Sequence, residues 1–584
     1  MAFNSHNTSS NHLNAPRPIS LVFLLFFGVL IGVIGGYGAV LFRMMISFFH
    51  NILFFANFNL HYDTNIHTAP SIWGVGVIFM PAIASFGVTW LVKTFAPEAK
   101  GHGVPEVIDA VYYNQGKIRP LVAIIKSIAS ALSIGSGGSV GREGPIIQIG
   151  AAFGSTLGQI IKMPISQRIT LVAAGAGAGI AATFNAPIGG ILFAIELLLV
   201  SVNARTLVIV ALATTTATYI GRHYLGIDPA FNIPKLTLPS THLTQIKQLC
   251  LFIPFGIIIG LLATLFIKMI YWFEDMFNAL PINDYLRHFS GMLILGLMMY
   301  LLLIYSGHYY IQGVGYASIV DILNGILSDP WFLLLLGAAK LLATSLTLGS
   351  GASGGIFSPG LFMGACIGGA CSHFVAFLFP DLNIEPSLFA VAGMAGMISG
   401  STGATLTAIV MLFEMTRDYN AILPIIVTVT LAYLTRRLLS RESIYTLKLF
   451  RRHHIVSEGL QSTFAEVQEA ASIMNTDFEI IALQQLEQIK SATSLANKIY
   501  IIREENKVIG VVSANAQNPS IEKINNNFFF VDPDMPLTIL LRQMHNKQCY
   551  TLLINKEETI IGFITPQEIV QYLSQINELM DESV

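Results

Sequence analysis

The sequence predicts an all-α polytopic membrane domain with an internal repeat, followed by a smaller α/β domain in water. Three observations lead there. First, 53% of the 584 residues are hydrophobic and only 11% are charged. A soluble protein carries about 25% charged residues, so this chain cannot cover a water-facing surface of its size. Second, glycine and proline interrupt apolar segments that recur at a fixed offset. Third, the charge balance changes near residue 455. From Ile455 onward there are 17 acidic and 8 basic residues; before it there are 24 basic and 17 acidic. Disorder, fibrous repeats and a secreted disulfide scaffold are excluded. Cys250, Cys366, Cys371 and Cys549 are scattered and form no zinc or redox spacing.

Residues 1–18 are read as a cytoplasmic segment, 19–454 as the membrane domain and 455–584 as a cytoplasmic tail. Ile19–Phe42 is uncharged between Arg17 and Arg43 and long enough to span a bilayer. It lacks a signal-peptide cleavage pattern and is kept as a mature helix. Ser71–Val92, Thr206–Ile220, Leu249–Ile267, Ser290–Gln312 and Ala421–Leu434 are further spans. Gly135–Gly154 and Gly349–Gly368 are broken apolar stretches. Non-helical backbone at membrane depth survives only inside protein or along a cavity, often at a substrate site. Arg436, Arg437, Arg441, Lys448, Arg451 and Arg452 follow the last apolar run, which puts that end in the cytoplasm.

Lys126–Gly154 and Lys340–Gly368 share 12 identities in 29 positions, at an offset of 214. The segments ending at Glu196 and Glu414 match at an offset of 218, so about four residues separate the two registers. Charged and proline positions coincide as well as glycines. A duplicated domain with broken helices is a transporter or channel plan. Sequence similarity leaves open whether the halves are parallel or inverted.

Gly101-His102-Gly103-Val104-Pro105-Glu106, Gly141-Arg142-Glu143-Gly144-Pro145 and Gly355-Ile356-Phe357-Ser358-Pro359 each read as a turn opening a helix. A helix N-terminus presents unpaired N–H groups and partial positive charge, which attract anions. Three such starts can converge on one dehydrated anion. In this order and context they resemble the anion-binding signatures of the CLC chloride channel and transporter family. Ser443-Ile444-Tyr445-Thr446-Leu447 is similar to that family's tyrosine-bearing final segment. The resemblance covers roughly Leu21 to Arg452. It implies two inverted halves, an anion pathway in every subunit and a homodimer.

By position, the resemblance makes Glu143 the gating glutamate, whose carboxylate occupies an anion site and leaves when protonated or displaced. An intramembrane carboxylate is a functional candidate in its own right. Gly355, Ile356 and Phe357 fall where backbone N–H groups bind the anion, and Tyr445 where a phenol donates to it. His102 stands where the family usually has a hydroxyl residue. Its imidazole could coordinate the anion, favour nitrate or bicarbonate and respond to pH, or turn aside. Proton-coupled members carry an internal glutamate where this chain has Leu197, one residue after Glu196. Leucine cannot carry a proton, so the expectation is voltage-gated-channel-like or weakly coupled chloride flow. The alternatives are a coupled H+/Cl− antiporter using another proton route, or transport of another anion. Arg142 is expected to pair with a carboxylate, its other reading being a positive field for the anion. Lys126 and Lys340 are expected to snorkel to the interface, the alternative being that they raise the anion concentration along the vestibules. Glu414 is expected to be structural.

In the tail, Phe464–Met474 reads as a helix, and Phe478–Leu483 and Lys498–Ser513 as strands turning at Glu505-Asn506. Phe528–Val531, Tyr550–Ile554 and Ile560–Ile564 read as strands, with helices at Met535–Met544 and Pro566–Leu573. The pattern occurs twice and resembles a CBS-domain pair, best in IIGFITPQEIVQYL. That resemblance implies an adenine nucleotide at Thr565 and Glu568; the first copy has Ser513 but only Ala516 at the acidic position. No cofactor is required for transport. The expected partners are chloride or a similar small anion, the lipid bilayer and a second copy of the chain. No motif supports metal binding, nucleic-acid binding or enzymatic catalysis: HExxH and clustered Cys/His are missing. An integral protein of the cell membrane is expected, the inner membrane for a bacterial source.

Overall fold

The computed structural model describes residues 19–454 except 200–201, 232, 235–241 and 383, together with 456, 470–485, 499–504, 507–513, 524–533 and most of 535–572. Two compact units divide at Gln461/Ser462.

The first half of the membrane unit comprises α1 (Leu21–Phe55), α2 (Phe79–Phe95), α3 (Val104–Tyr112), α4 (Pro120–Gly135), α5 (Glu143–Ile160), α6 (Ile165–Phe184), α7 (Pro187–Leu197) and α8 (Ala204–Leu225). The second comprises α9 (His242–Ala279), α10 (Asp284–Ser306), α11 (Tyr316–Leu323), α12 (Pro330–Ser350), α13 (Phe357–Leu378), α14 (Pro386–Thr402), α15 (Thr405–Thr416), α16 (Ile422–Leu439) and α17 (Thr446–Arg451). Among the described residues nine helical segments are long and apolar enough to cross a membrane. Each expected span coincides with a helix, but Ser290–Gln312 overruns α10, which ends at Ser306, Ser71–Val92 begins before the helical turn at Gly74, and α1 runs on through Arg43 to Phe55. A charge does not end a helix when its side chain finds a cavity inside the protein.

The two broken stretches are real breaks. α4 stops at Gly135 and α5 starts at Glu143; α12 stops at Ser350 and α13 starts at Phe357. Glycine lets the centre pack with backbone touching backbone. A Cβ on Gly150 would overlap the Gly175 carbonyl of α6, and one on Gly364 would overlap the Gly393 carbonyl of α14. The two pairs obey the 214 and 218 offsets, so the inserted residues leave the contact intact. α14 is buried from Ser387 to Thr402, and α6 is buried almost throughout. These two helices form the centre, and α1, α10 and α16 turn apolar side chains outward.

In the tail, β1 (Phe478–Ala482) pairs parallel with β2 (Ile499–Glu504), which pairs antiparallel with β3 (Lys507–Ser513). β4 (Phe528–Val531), β5 (Thr551–Lys556) and β6 (Thr559–Ile564) repeat that order, including an irregularity at the matching place. A helix over residues 566–572 follows. Residues 1–18, most of the expected Phe464–Met474 helix, Lys498, the Glu505-Asn506 turn, Ala516, Leu573 and parts of Met535–Met544 lie outside the described residues.

Candidate functional site

The loops before α3, α5 and α13 meet. Gly101 bridges Ser353, and Gly141 bridges Gly355 in the antiparallel sense. The Gly141 N–H donates to Gly355 O (2.7 Å) and the Gly355 N–H to Gly141 O (2.6 Å). Gly355 was expected to offer its N–H to an anion; that N–H is taken, and the glycine instead joins the two half-domains. The Ile356 and Phe357 N–H groups, at the cap and first turn of α13, have no acceptor among the described residues. They are the free donors of that helix end.

Buried lysines hold these loops. Lys126 Nζ donates to Ala99 O (2.9 Å) and Gly101 O (2.7 Å). Lys340 Nζ donates to Ile311 O (3.0 Å) and Gly313 O (2.8 Å). Neither snorkels, as had been expected; both are fully buried. A carbonyl of non-helical backbone at this depth needs a donor, and each lysine supplies two. The acceptors obey an offset of 212, which identifies Gly313-Val314-Gly315-Tyr316 as the repeat mate of Gly101-His102-Gly103-Val104. It is a fourth glycine-led helix start, with α11 capped by Gly315 as α3 is capped by Gly103.

Glu143 is fully buried in the first turn of α5. The Tyr316 O–H donates to its Oε1 (2.7 Å), the Ser358 hydroxyl also donates to Oε1, and the Ser358 N–H reaches Oε2 (3.4 Å). Tyr316 and Ser358 hydroxyls are 2.9 Å apart. The carboxylate thus lies against the N-terminus of α13, where partial positive charge favours an anion. Sequence reasoning missed Tyr316 and the role of Ser358. The 212 offset from the GHGV run was the available signal for Tyr316.

Among the described residues Arg142 pairs with no carboxylate, contrary to expectation. Its guanidinium lies 5.2 Å from the Tyr316 ring centroid, and its buried Nε has no acceptor among those residues. His102 is buried; its ring lies 5.8 Å from that of Tyr445, and its Nδ1 has no partner among the described residues. The His102 carbonyl packs on Gly144, where any Cβ would overlap it, and Gly144 packs in turn on Gly355. Tyr445 caps α17. Its segment is fixed by Ile444, whose N–H donates to Ser401 O (2.9 Å) and whose carbonyl accepts from the Tyr271 hydroxyl (2.5 Å). Tyr445 lines an inner cavity with Glu196, Leu197, Thr402 and Ser443. His102, Glu143, Ile356, Phe357 and Tyr445 are therefore brought into one buried region, with Gly355 as its frame.

Glu196 accepts from the Thr405, Leu406 and Thr407 N–H groups (2.7, 3.0 and 2.9 Å) and from the Thr405 and Thr407 hydroxyls. It caps α15. Its repeat mate Glu414, on α15, accepts from the Ile188 and Gly189 N–H groups (3.1 and 2.7 Å) and caps α7.

A profile of the family "Voltage gated chloride channel" matches residues 80–437. The H(+)/Cl(-) exchange transporter ClcA of Vibrio vulnificus (strain YJ016) is 33% identical over 446 residues, 74% of this chain and 90% of that one. The chain belongs to the CLC family. The X-ray structure of a slow cyanobacterial Cl−/H+ antiporter has a TM-score of 0.63 at 26% identity, covering 75% of this chain and 99% of that one. A eukaryotic CLC transporter (TM-score 0.62, 17% identity) covers 94% of this chain and 98% of its own, which speaks to fold alone. The CLC fold accounts for the repeat: two inverted halves in an integral, multi-pass membrane protein that moves anions. A CBS-domain profile matches residues 521–575, the second copy of the tail motif.

In that CBS copy, Glu568 Oε2 accepts from the Thr565 N–H (2.9 Å) and the Thr565 hydroxyl, and Oε1 from Asn475 Nδ2 (3.4 Å). The pair expected to hold a ribose forms a cap on the helix over 566–572, of the Thr-x-x-Glu kind.

Proposed function

We propose that this CLC protein exchanges chloride for protons, with Glu143 as the group both ions compete for. The carrying observation is the Glu143 carboxylate against the α13 N-terminus, under the Tyr316 and Ser358 hydroxyls. A carboxylate and a chloride suit that spot for the same electrostatic reason. Protonation removes the carboxylate's charge and its claim on the helix end, so chloride takes the spot when Glu143 takes a proton. Deeper in, the Ile356 and Phe357 N–H groups, the Tyr445 hydroxyl and the His102 imidazole replace the water that the anion sheds. Each subunit of a homodimer carries its own pathway.

Leu197 on its own favours channel-like flow. The relatives named as exchangers favour coupling, and we adopt it. Glu196 is committed to capping α15, so the inner proton route runs through water in the cavity beside Leu197 and Tyr445. The test is purified protein in liposomes, with chloride efflux and external pH recorded together. A chloride gradient drives protons uphill in the wild type. Glu143→Gln keeps chloride flow and loses proton movement. Wild-type chloride efflux without coupled protons would return the channel reading. His102 makes nitrate and bicarbonate the next anions to test. In the tail, a nucleotide would have to displace the Thr565–Glu568 cap, and titrating ATP into the full-length protein reads that directly.

A further inference from the structure

Arg43 and Arg142 line one cavity, whose other wall includes Tyr62 and Thr64 of the loop between α1 and α2. With the N-terminal segment and the tail cytoplasmic, that loop lies outside, so the cavity faces outward. Neither guanidinium has a carboxylate within 4.0 Å among the described residues. The acid of the adjoining loop, Asp63, accepts from the Asn65 N–H (2.9 Å) instead. Arg142 is 7% exposed, and its buried Nε has no acceptor among the described residues. A buried donor left unmade costs about 1–3 kcal/mol, and two guanidinia facing one cavity repel. An anion between them relieves both penalties.

The position gives that anion a purpose. Arg142 immediately precedes Glu143 and lies over the Tyr316 ring, whose hydroxyl donates to the Glu143 carboxylate. Ile46 and Ile134 also line the cavity. Low-dielectric walls of this kind concentrate the field of the two arginines. Guanidinium is weakly hydrated and keeps its charge, which suits an ion that must shed water at the next step.

We propose that this cavity captures the transported monovalent anion outside the Glu143 pocket, and that Arg43 and Arg142 hold it there until Glu143 withdraws. The identity of the ion as chloride rests on the transport reading above; the site itself does not.

Two measurements test this. In crystals soaked in bromide, an anomalous peak is expected between Arg43 and Arg142. Arg43→Gln should lose that peak while deeper peaks near the α13 N-terminus persist. Deeper peaks without an outer one in the wild type would overturn the proposal. In liposomes at low ionic strength, Arg43→Gln should raise the half-saturating external chloride roughly tenfold. Arg43→Lys should recover part of this, since it restores the charge without the forked donors. An unchanged external value in Arg43→Gln would also overturn it. Wild-type protein that moves no chloride would sink the transport reading instead, and the bromide experiment would still decide the site.

Discussion

The two halves of the membrane domain share a scaffold and differ in what they hang on it. Lys126 and Lys340 each bind two loop carbonyls at matching positions. Arg142 and Ile356 cap α5 and α13 with nearly the same backbone angles (φ −93°, ψ −11° and φ −105°, ψ −10°). The side chains diverge. His102 faces Val314 across the repeat, Val104 faces Tyr316, Glu143 faces Phe357 and Gly144 faces Ser358. The first half supplies the carboxylate; the second supplies the hydroxyls and N–H groups that hold it. Duplication has kept the backbone donors and divided the side-chain chemistry.

The scaffold is shared, but its two lysines are not equally backed. Lys340→Met leaves the Ile311 and Gly313 carbonyls without a donor among the described residues, roughly 2–6 kcal/mol. After Lys126→Met the Ala99 carbonyl keeps the Ser353 hydroxyl and the Gly101 carbonyl keeps the Gly354 N–H. Thermal unfolding of the detergent-solubilised protein should therefore fall more for Lys340→Met than for Lys126→Met. An equal loss would mean that the second donors contribute nothing.

The division of side-chain chemistry is sharpened at Glu143. Tyr316→Phe and Ser358→Ala each remove a hydroxyl from the carboxylate, about 1.5–3 kcal/mol for a bond to a charged group. Chloride should then displace Glu143 at roughly ten- to a hundred-fold lower concentration, read from flux at fixed pH. The two hydroxyls also contact each other (2.9 Å), so the double variant should fall short of the sum. Full additivity would show that they act separately. Smaller still is His102→Ser, which restores the hydroxyl usual in the family. A shift of about 1 kcal/mol in nitrate-against-chloride preference, measured by competition in liposomes, is expected. No shift would show that the ring does not touch the ion. Outside both halves, Thr565→Ala should lower the stability of the tail by about 1 kcal/mol through the lost helix cap, seen in its thermal transition.

Much of this was legible in the sequence because it rests on patterns that backbone physics enforces. Uncharged runs located the spans, and glycine with proline located the helix starts. The repeat registers relate the Gly150–Gly175 contact to the Gly364–Gly393 one, although neither contact was itself read from the sequence. Glu143, His102 and Tyr445 were found by motif and do converge. Partnerships made across hundreds of residues were not legible. Nothing local in Tyr316 tells that its hydroxyl meets a carboxylate 173 positions away. Lys126 and Lys340 read as snorkelling because their acceptors are carbonyls, which no sequence pattern marks. Gly355 read as a donor because it sits in the signature that resembles the family's anion site; the Gly141 carbonyl that takes its N–H belongs to the other half. Leu197 read as an argument against coupling because one position was weighed without the cavity beside it.

The two glutamate caps carry a consequence of their own. Glu196 closes the end of a helix in the second half, and Glu414 closes the corresponding helix in the first, through N–H groups that match residue for residue. Each half thus lends the other an acid and borrows one back. A chain of half the membrane domain would find the partner for this clasp in a second copy of itself. The clasp now inside one polypeptide is the form that a two-chain ancestor would leave after its gene was doubled and joined.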